Sequence, residues 1–191
     1  TTLFRSVHVN LAMQTLDEQG LSPYRTFDSI SKFAELLGAS KGSAFEPRIS
    51  THRISSNTEI TLIEPPCGSN TIIINSNHNL LFVDCGYACY RDEMLEIYER
   101  LIPDFKTRKK SILITHADVD HCGLLPLFDE IITSSKTAAC LKNEYLGNDG
   151  YREKNPLHKP YINICKKLTS YQAADPDKFV VPWDDIEVLT E

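Results

Sequence analysis

The stretch SILITHADVDHCGLLPLF, residues 111–128, places His116, Asp118, Asp120 and His121 within six positions, directly after a short apolar run. SILIT (111–115) has the length and continuity of a buried strand. Beyond Thr115 the chain is free to curl, so that residues 116 and 118 can face one way while 120 and 121 turn toward a neighbouring position. Imidazole nitrogen and carboxylate oxygen suit zinc, iron or manganese. Two such ions about 3.5–4 Å apart would bridge a water and ionise it to hydroxide near neutral pH. Two aspartates this close repel each other unless a cation offsets their charge. The competing reading is helix capping, with Asp120 or His121 at the N-terminus of a helix over 124–131. Four such groups together at a strand end favour metal ligation. Gly123 lets the backbone turn tightly into the next element.

Upstream, the pattern is one of strands. EITLIEPP (59–66) has period-two character, and NTIIIN (70–75) and NLLFVDCG (79–86) are apolar runs joined by SNHN, a hairpin signal. RDEMLEIYERLIPDF (91–105) sets Met94, Ile97, Tyr98 and Leu101 at i, i+3, i+4 and i+7, which predicts an amphipathic helix ended by Pro103. The basic run KTRKK (106–110) that follows reads as a solvated loop rather than an anion site. Downstream, GLLPLFDEI (123–131) predicts a helix with Pro126 in its first turn, IITSS (131–135) a strand, and KTAACLKNEYL (136–146) a helix. Antiparallel strands followed by βαβ units imply a mixed sheet with flanking helices. Functional groups in such sheets gather beyond the carboxyl ends of the strands, where HADVDH lies.

The flanks say less. VHVNLAMQTLDEQG (7–20) and DSISKFAELLG (28–38) read as helices, the second capped by Asp28 and Gly38 with a stripe of Ile30, Phe33 and Leu37. Residues 38–57 are rich in Ser, Gly and Pro and read as a loop or linker. Residues 1–57 thus form a helical and loop segment ahead of a domain over 58–191. At the other end, residues 157–172 have helical spacing and KFVVPW (178–183) reads as a strand. Tyr151, Tyr171 and Trp183 are candidates for a substrate pocket or, more commonly, for core.

Composition narrows the partners. The chain has 191 residues, 41% of them hydrophobic and 24% charged, with a formal net charge of −6. That balance is ordinary for a globular protein and argues against a nucleic-acid partner, which needs clustered cations. No run approaches the roughly 20 apolar residues of a membrane span, so no membrane partner is expected. The six cysteines (67, 85, 89, 122, 140 and 165) form no CxxC pair and read as reduced, mostly buried small hydrophobes, consistent with a cytoplasmic protein. A structural zinc on Cys85 and Cys89 is the disfavoured alternative. The first residue is Thr, so the chain is expected to be processed or cut from something longer.

THADVDHCG resembles the loop of the metallo-β-lactamase fold superfamily, usually written HxHxDH and followed by a small residue and Gly. GSNTIIINSNHNLLFVDCG (68–86) is similar to that family's first motif, in which a GSN strand and hairpin lead to Asp-x-Gly, here Asp84-Cys85-Gly86. The resemblance covers about residues 58–143. It implies an α/β fold, an αβ/βα sandwich of which the first half is present, with His116 and Asp118 in a first metal site and Asp120 and His121 in a second. It implies that Asp84 orients the loop from behind the metals, a turn residue before Gly86 being the alternative. One or two divalent ions are implied, zinc foremost, acting on a small-molecule ester, thioester, lactone or phosphoester through a metal-bound hydroxide. Asp120 could also accept a proton in turnover.

Two features depart from the family pattern. Position 118 is Asp where the family has His, and its oxygen shifts preference toward iron or manganese. Relatives with Glu there include di-iron flavoproteins, which makes a redox protein the second reading. The family's later half supplies further ligands, and the one histidine after His121, His158 in NPLHKP, does not match that motif. The chain is therefore expected to be the first half to two-thirds of a longer enzyme. Alone it would be a half-domain, inactive or a homodimer.

Overall fold

In the computed structural model, residues 35–148, 166 and 170–182 are described. A helical turn over 35–39 precedes the sheet and buries Leu37. The strands are β1 (Arg48–Ser55), β2 (Thr58–Glu64), β3 (Thr71–Ser76), β4 (Leu80–Val83), β5 (Ser111–Leu113), β6 (Glu130–Ile132) and β7 (Phe179–Val180). The helices are α1 (Arg91–Leu101), between β4 and β5, and α2 (Ser135–Tyr145), between β6 and β7. The strands form one sheet in the order β1-β2-β3-β4-β5-β6-β7. Pairing is antiparallel from β1 to β4 and parallel from β4 to β7. This is the mixed sheet that the sequence pattern implies, since hairpins pair antiparallel and helical crossovers return the chain parallel.

Alternation decides which side is core. Ile63, Ile73, Phe82, Ile112 and Ile131 lie on one face and are buried. α1 packs there with Met94, Ile97 and Tyr98. The Phe82 ring meets Tyr98 at 5.0 Å and Phe128 at 4.9 Å, both edge-on, a geometry that aromatic quadrupoles favour. Burial of each such ring contributes roughly 1.5–3 kcal/mol. The opposite face carries Leu62, Ile72, Ile74, Leu81, Val83 and Leu113, all half-buried and none in the core cluster.

Three elements differ from expectation. The residues read as a linker contain β1, which pairs with β2 from Arg48↔Glu64 to Ser55↔Thr58, so the sheet begins ten residues before the expected start at 58. As an edge strand, RISTHRIS has only Ile49 packed on the core and exposes most other side chains, which leaves little hydrophobic alternation to read. The helix expected over 123–131 is a single 3-10 turn, Leu125–Leu127. Leu124, Leu125 and Phe128 are all buried, and Pro126 supplies no backbone donor to extend the turn. β6 accordingly begins at Glu130 rather than 131.

The basic run is not uniformly solvated. Arg108 donates through Nη1 to Asn75 Oδ1 (2.8 Å) and through Nη2 to the carbonyls of Ser76 and Asn79. It thereby clamps the β3–β4 turn. Lys110 is buried, donates to the carbonyls of Phe105 and Arg108, and pairs with Asp129 at 3.4 Å. Lys106 and Lys109 remain exposed. The helix expected over 7–20, most of those over 28–38 and 157–172, and Tyr151, His158, Cys165 and Trp183 lie outside the described residues.

Arg108→Ala is expected to destabilise the fold by about 1–3 kcal/mol, chiefly through loss of the charged hydrogen bonds to the half-buried Asn75 and Ser76. Hydrogen exchange should speed up first at the amides flanking residues 76–79. Unchanged exchange there would refute the clamp.

Candidate metal centre

The strand β5 ends at Leu113, and the chain then runs past Asp84-Cys85-Gly86 at the end of β4. These three residues hold the loop at successive points. The Asp84 carboxylate accepts from the Thr115 amide (3.0 Å), from Thr115 Oγ1 (2.8 Å) and from His121 Nδ1 (2.7 Å). The Cys85 amide and thiol both donate to the His121 carbonyl, at 3.0 and 3.2 Å, while Cys85 Sγ accepts from the Leu124 amide at 3.2 Å. The Gly86 carbonyl accepts from the Gly123 amide at 2.9 Å. Burial pushes the Cys85 thiol far up, so it stays protonated and donates.

Backbone conformation allows this crossing. Asp84 has φ 55° and Gly86 φ 71°, both left-handed, a region costing most L-residues about 1–2 kcal/mol but tolerated by Asp and free to Gly. Gly123 serves by absence rather than by conformation. A Cβ on it would fall on the backbone of Gly86, Tyr87 and Ala88. The need is for close approach, not for the tight turn that the sequence suggests.

The four candidate ligands lie in two neighbouring histidine–aspartate pairs. His116 Nε2 lies 3.2 Å from Asp118 Oδ2, and His121 Nε2 lies 3.4 Å from Asp120 Oδ2. The two imidazole centroids are 4.1 Å apart. Asp120 is buried at 1% exposure, and Ser69 Oγ donates to its Oδ2 at 2.9 Å. Neither Asp120 nor His121 caps a helix; the cap of the 3-10 turn after them is Leu124, with no side-chain bond.

Hydrogen bonds fix the tautomers. Asp84 is an acceptor, so His121 carries its proton on Nδ1. Thr115 Oγ1 gives its own proton to Asp84, so it accepts from His116 Nδ1 at 2.9 Å. Both Nε2 atoms therefore face carboxylate oxygens, lone pair toward lone pair, unless a cation lies between. In the metal-free protein that cation is a proton on His121. Burial lowers its pKa, but the hydrogen bonds and charges of Asp120 and Asp84 outweigh burial and raise it to about 9.

Donor separations of 3.2 and 3.4 Å are those of two neighbouring ligands on one tetrahedral ion with bonds of about 2.0–2.2 Å. Each pair thus fits two positions of one metal. Among the described residues no group of three or more His, Cys, Asp or Glu is arranged so that it could hold a metal ion by itself.

The metallo-beta-lactamase superfamily model matches residues 65–190 of this sequence. The chain belongs to that superfamily. The superfamily includes hydrolases and di-iron flavoproteins, and its members bind one or two divalent metals, zinc or iron. Among solved structures, the chain is similar to a point mutant of the flavo di-iron protein from Thermotoga maritima, with 24% identity over 55% of this chain and 32% of that one, TM-score 0.43. It is similar to the MIM-2 metallo-beta-lactamase, with 22% identity over 49% and 36%, TM-score 0.39. A third is a Cronobacter sakazakii metallo-beta-lactamase with a HARLDQ motif, 15% identical over 48% and 37%, TM-score 0.38. The chain thus spans about a third of the length of these structures. No curated protein matches it.

Sequence reading missed Ser69 and Thr115 as members of the hydrogen-bond network. Ser69 sits in the quoted GSN and has φ 65°, but its contact with Asp120 spans 51 residues and has no local signal. The Cys85–Cys89 zinc alternative finds no support, because Cys85 Sγ is engaged with backbone. Of the cysteines among the described residues, Cys67 is half-buried and Cys85, Cys89, Cys122 and Cys140 are buried. Tyr171 packs on the core and donates its hydroxyl to Glu144 at 2.8 Å. Among the described residues, no helix is long and apolar enough to cross a membrane.

Gly123→Ala should cost roughly 1–3 kcal/mol or more by forcing the loop off Gly86, read by denaturant unfolding. Wild-type stability in the alanine variant would refute the close approach. A second expectation concerns pH. His121 has a folded pKa of about 9, above its unfolded value near 6.5. Its pairing stabilises the metal-free fold fully below about pH 6.5 and is lost as pH rises through about 9. The melting temperature of the chelator-treated protein should fall across that window, and His121→Gln should flatten the profile.

Proposed function

We propose that this chain carries part of the metal centre of a metal-dependent hydrolase acting on a small-molecule ester, thioester, lactone or phosphoester. The observation that supports this most directly is the pair of imidazole Nε2 atoms held 3.2 and 3.4 Å from carboxylate oxygens with their other nitrogens fixed as donors. His116 and Asp118 would hold one ion, and Asp120 and His121 a second. A bound divalent ion supplies Lewis acidity and brings the pKa of water close to neutrality.

The protein's own residues prepare that chemistry. Asp84 holds the proton on His121 Nδ1 and, through Thr115, on His116 Nδ1, leaving both Nε2 atoms to face the ions. Asp120, whose carboxylate accepts a hydrogen bond from Ser69, would be the group that accepts a proton during turnover. Zinc is the leading metal.

A di-iron redox centre is the second reading, favoured by one feature: Asp118 puts an oxygen donor, rather than a third nitrogen, beside His116. Any partner beyond the substrate is proposed to be a second copy of the chain, and the compartment is proposed to be the cytoplasm.

Protein purified without chelator is expected to carry zinc, iron or manganese, and Asp120→Ala to weaken metal binding at least about tenfold. Unchanged metal content in that variant would refute the site. Zinc or manganese with hydrolysis of chromogenic esters supports the hydrolase, whereas stoichiometric iron with oxygen-dependent turnover would replace it with the redox reading.

A further inference from the structure

Two buried thiols meet the loop at the same kind of atom. Cys85 Sγ lies 3.2 Å from the carbonyl oxygen of His121, and Cys122 Sγ lies 3.5 Å from the carbonyl oxygen of His116. Both side chains have 0% exposure. The two acceptors belong to the two histidines of the cluster, one at each end of HADVDH. Cys85 does more than donate. Its sulfur also accepts from the Leu124 amide at 3.2 Å, so one atom ties the backbone at residues 121 and 124.

We infer that Cys85 and Cys122 are positioning residues for His116 and His121, their thiols fixing the backbone from which the two imidazoles project. The inference rests on the metal-centre reading, because positioning has a purpose only if the imidazoles hold an ion. Anchoring the carbonyl of each histidine restrains the peptide plane next to its Cα, and with it the backbone that carries the ring. The side-chain bonds to Asp84 and Thr115 then set the ring, so each imidazole is held at both ends. A thiol suits the first task here. It is small and hydrophobic enough for complete burial and still has a proton to donate. The same two cysteines that the composition reads as buried hydrophobes therefore have a directional role. Cys140, also buried but on α2, provides the comparison with a cysteine that only fills space.

The test compares Cys85→Ala, Cys85→Ser, Cys122→Ala and Cys140→Ala in the full chain. Two readouts are taken: zinc affinity by competition with a chromogenic chelator, and the imidazole signals of His116 and His121 by NMR in the metal-free protein. Cys85→Ala should shift and broaden the His121 signals and weaken zinc binding about tenfold or more. Cys85→Ser keeps a donor and acceptor at that position and should restore most of both. Cys122→Ala should act likewise on His116. Cys140→Ala should lower stability without moving either readout. Histidine signals and affinity unchanged in Cys85→Ala, or displaced equally by Cys140→Ala, would overturn the inference. The NMR readout needs no metal, so wild type binding no zinc would refute the metal centre while leaving the positioning role decided by the spectra. Should Cys85→Ala fail to fold, Cys122→Ala and Cys85→Ser still decide: displaced His116 signals in the first with His121 signals kept in the second support the inference, and unmoved His116 signals in the first overturn it.

Discussion

The Asp84 carboxylate is the point on which this arrangement depends. It gathers the Thr115 amide, the Thr115 hydroxyl and the His121 ring within 2.7–3.0 Å, and thereby sets the tautomer of both histidines. It does so from a left-handed backbone position at the end of β4, where the following Cys85 and Gly86 continue the contact. Because β4 and β5 are parallel neighbours, their carboxyl ends are adjacent, and a short motif on one can brace the loop that leaves the other. The sheet's core face, with Phe82 at its centre, keeps those two strands in register. Removal of the Asp84 carboxylate would release both imidazoles together, which no single ligand substitution does.

Electrostatics explains why such a cluster is held so firmly. Three carboxylates and two imidazoles share a small volume, and Asp120 is almost wholly buried within it. Without a cation their mutual repulsion opposes folding, and the protonation of His121 up to about pH 9 is the metal-free protein's response. A divalent ion, if bound, would do the same with two charges and would displace that proton. Serine and threonine hydroxyls and two thiols contribute directional contacts without adding charge, so the network can tighten without worsening the repulsion.

Local signals carried much of this into the sequence. Period-two runs around SNHN marked the β3–β4 hairpin, and Met94, Ile97 and Tyr98 marked the buried face of α1. The four ligand candidates were legible because they fall within six positions and follow a strand. What remained hidden was set by distant contacts. β1 is an edge strand whose pairing, not whose pattern, makes it a strand. Residues 124–128 bury leucines and a phenylalanine on a 3-10 turn where a helix was expected, since packing decides the backbone there. Arg108 and Lys110 looked like solvated charge until the acceptors of the β3–β4 turn and of Asp129 came beside them. Ser69 and Gly123 owe their roles to neighbours 51 and 37 residues away in the chain, a range at which spacing has no meaning.

On the proposed reading, the bend after β5 grips a cation through imidazole and carboxylate. X-ray absorption at the metal edge of zinc-loaded protein tests it most directly. Nitrogen and oxygen neighbours at about 2.0–2.2 Å, with the outer-shell scattering of imidazole, are expected. Sulfur at about 2.3 Å, or a shell of water oxygens with no imidazole signal, would contradict it.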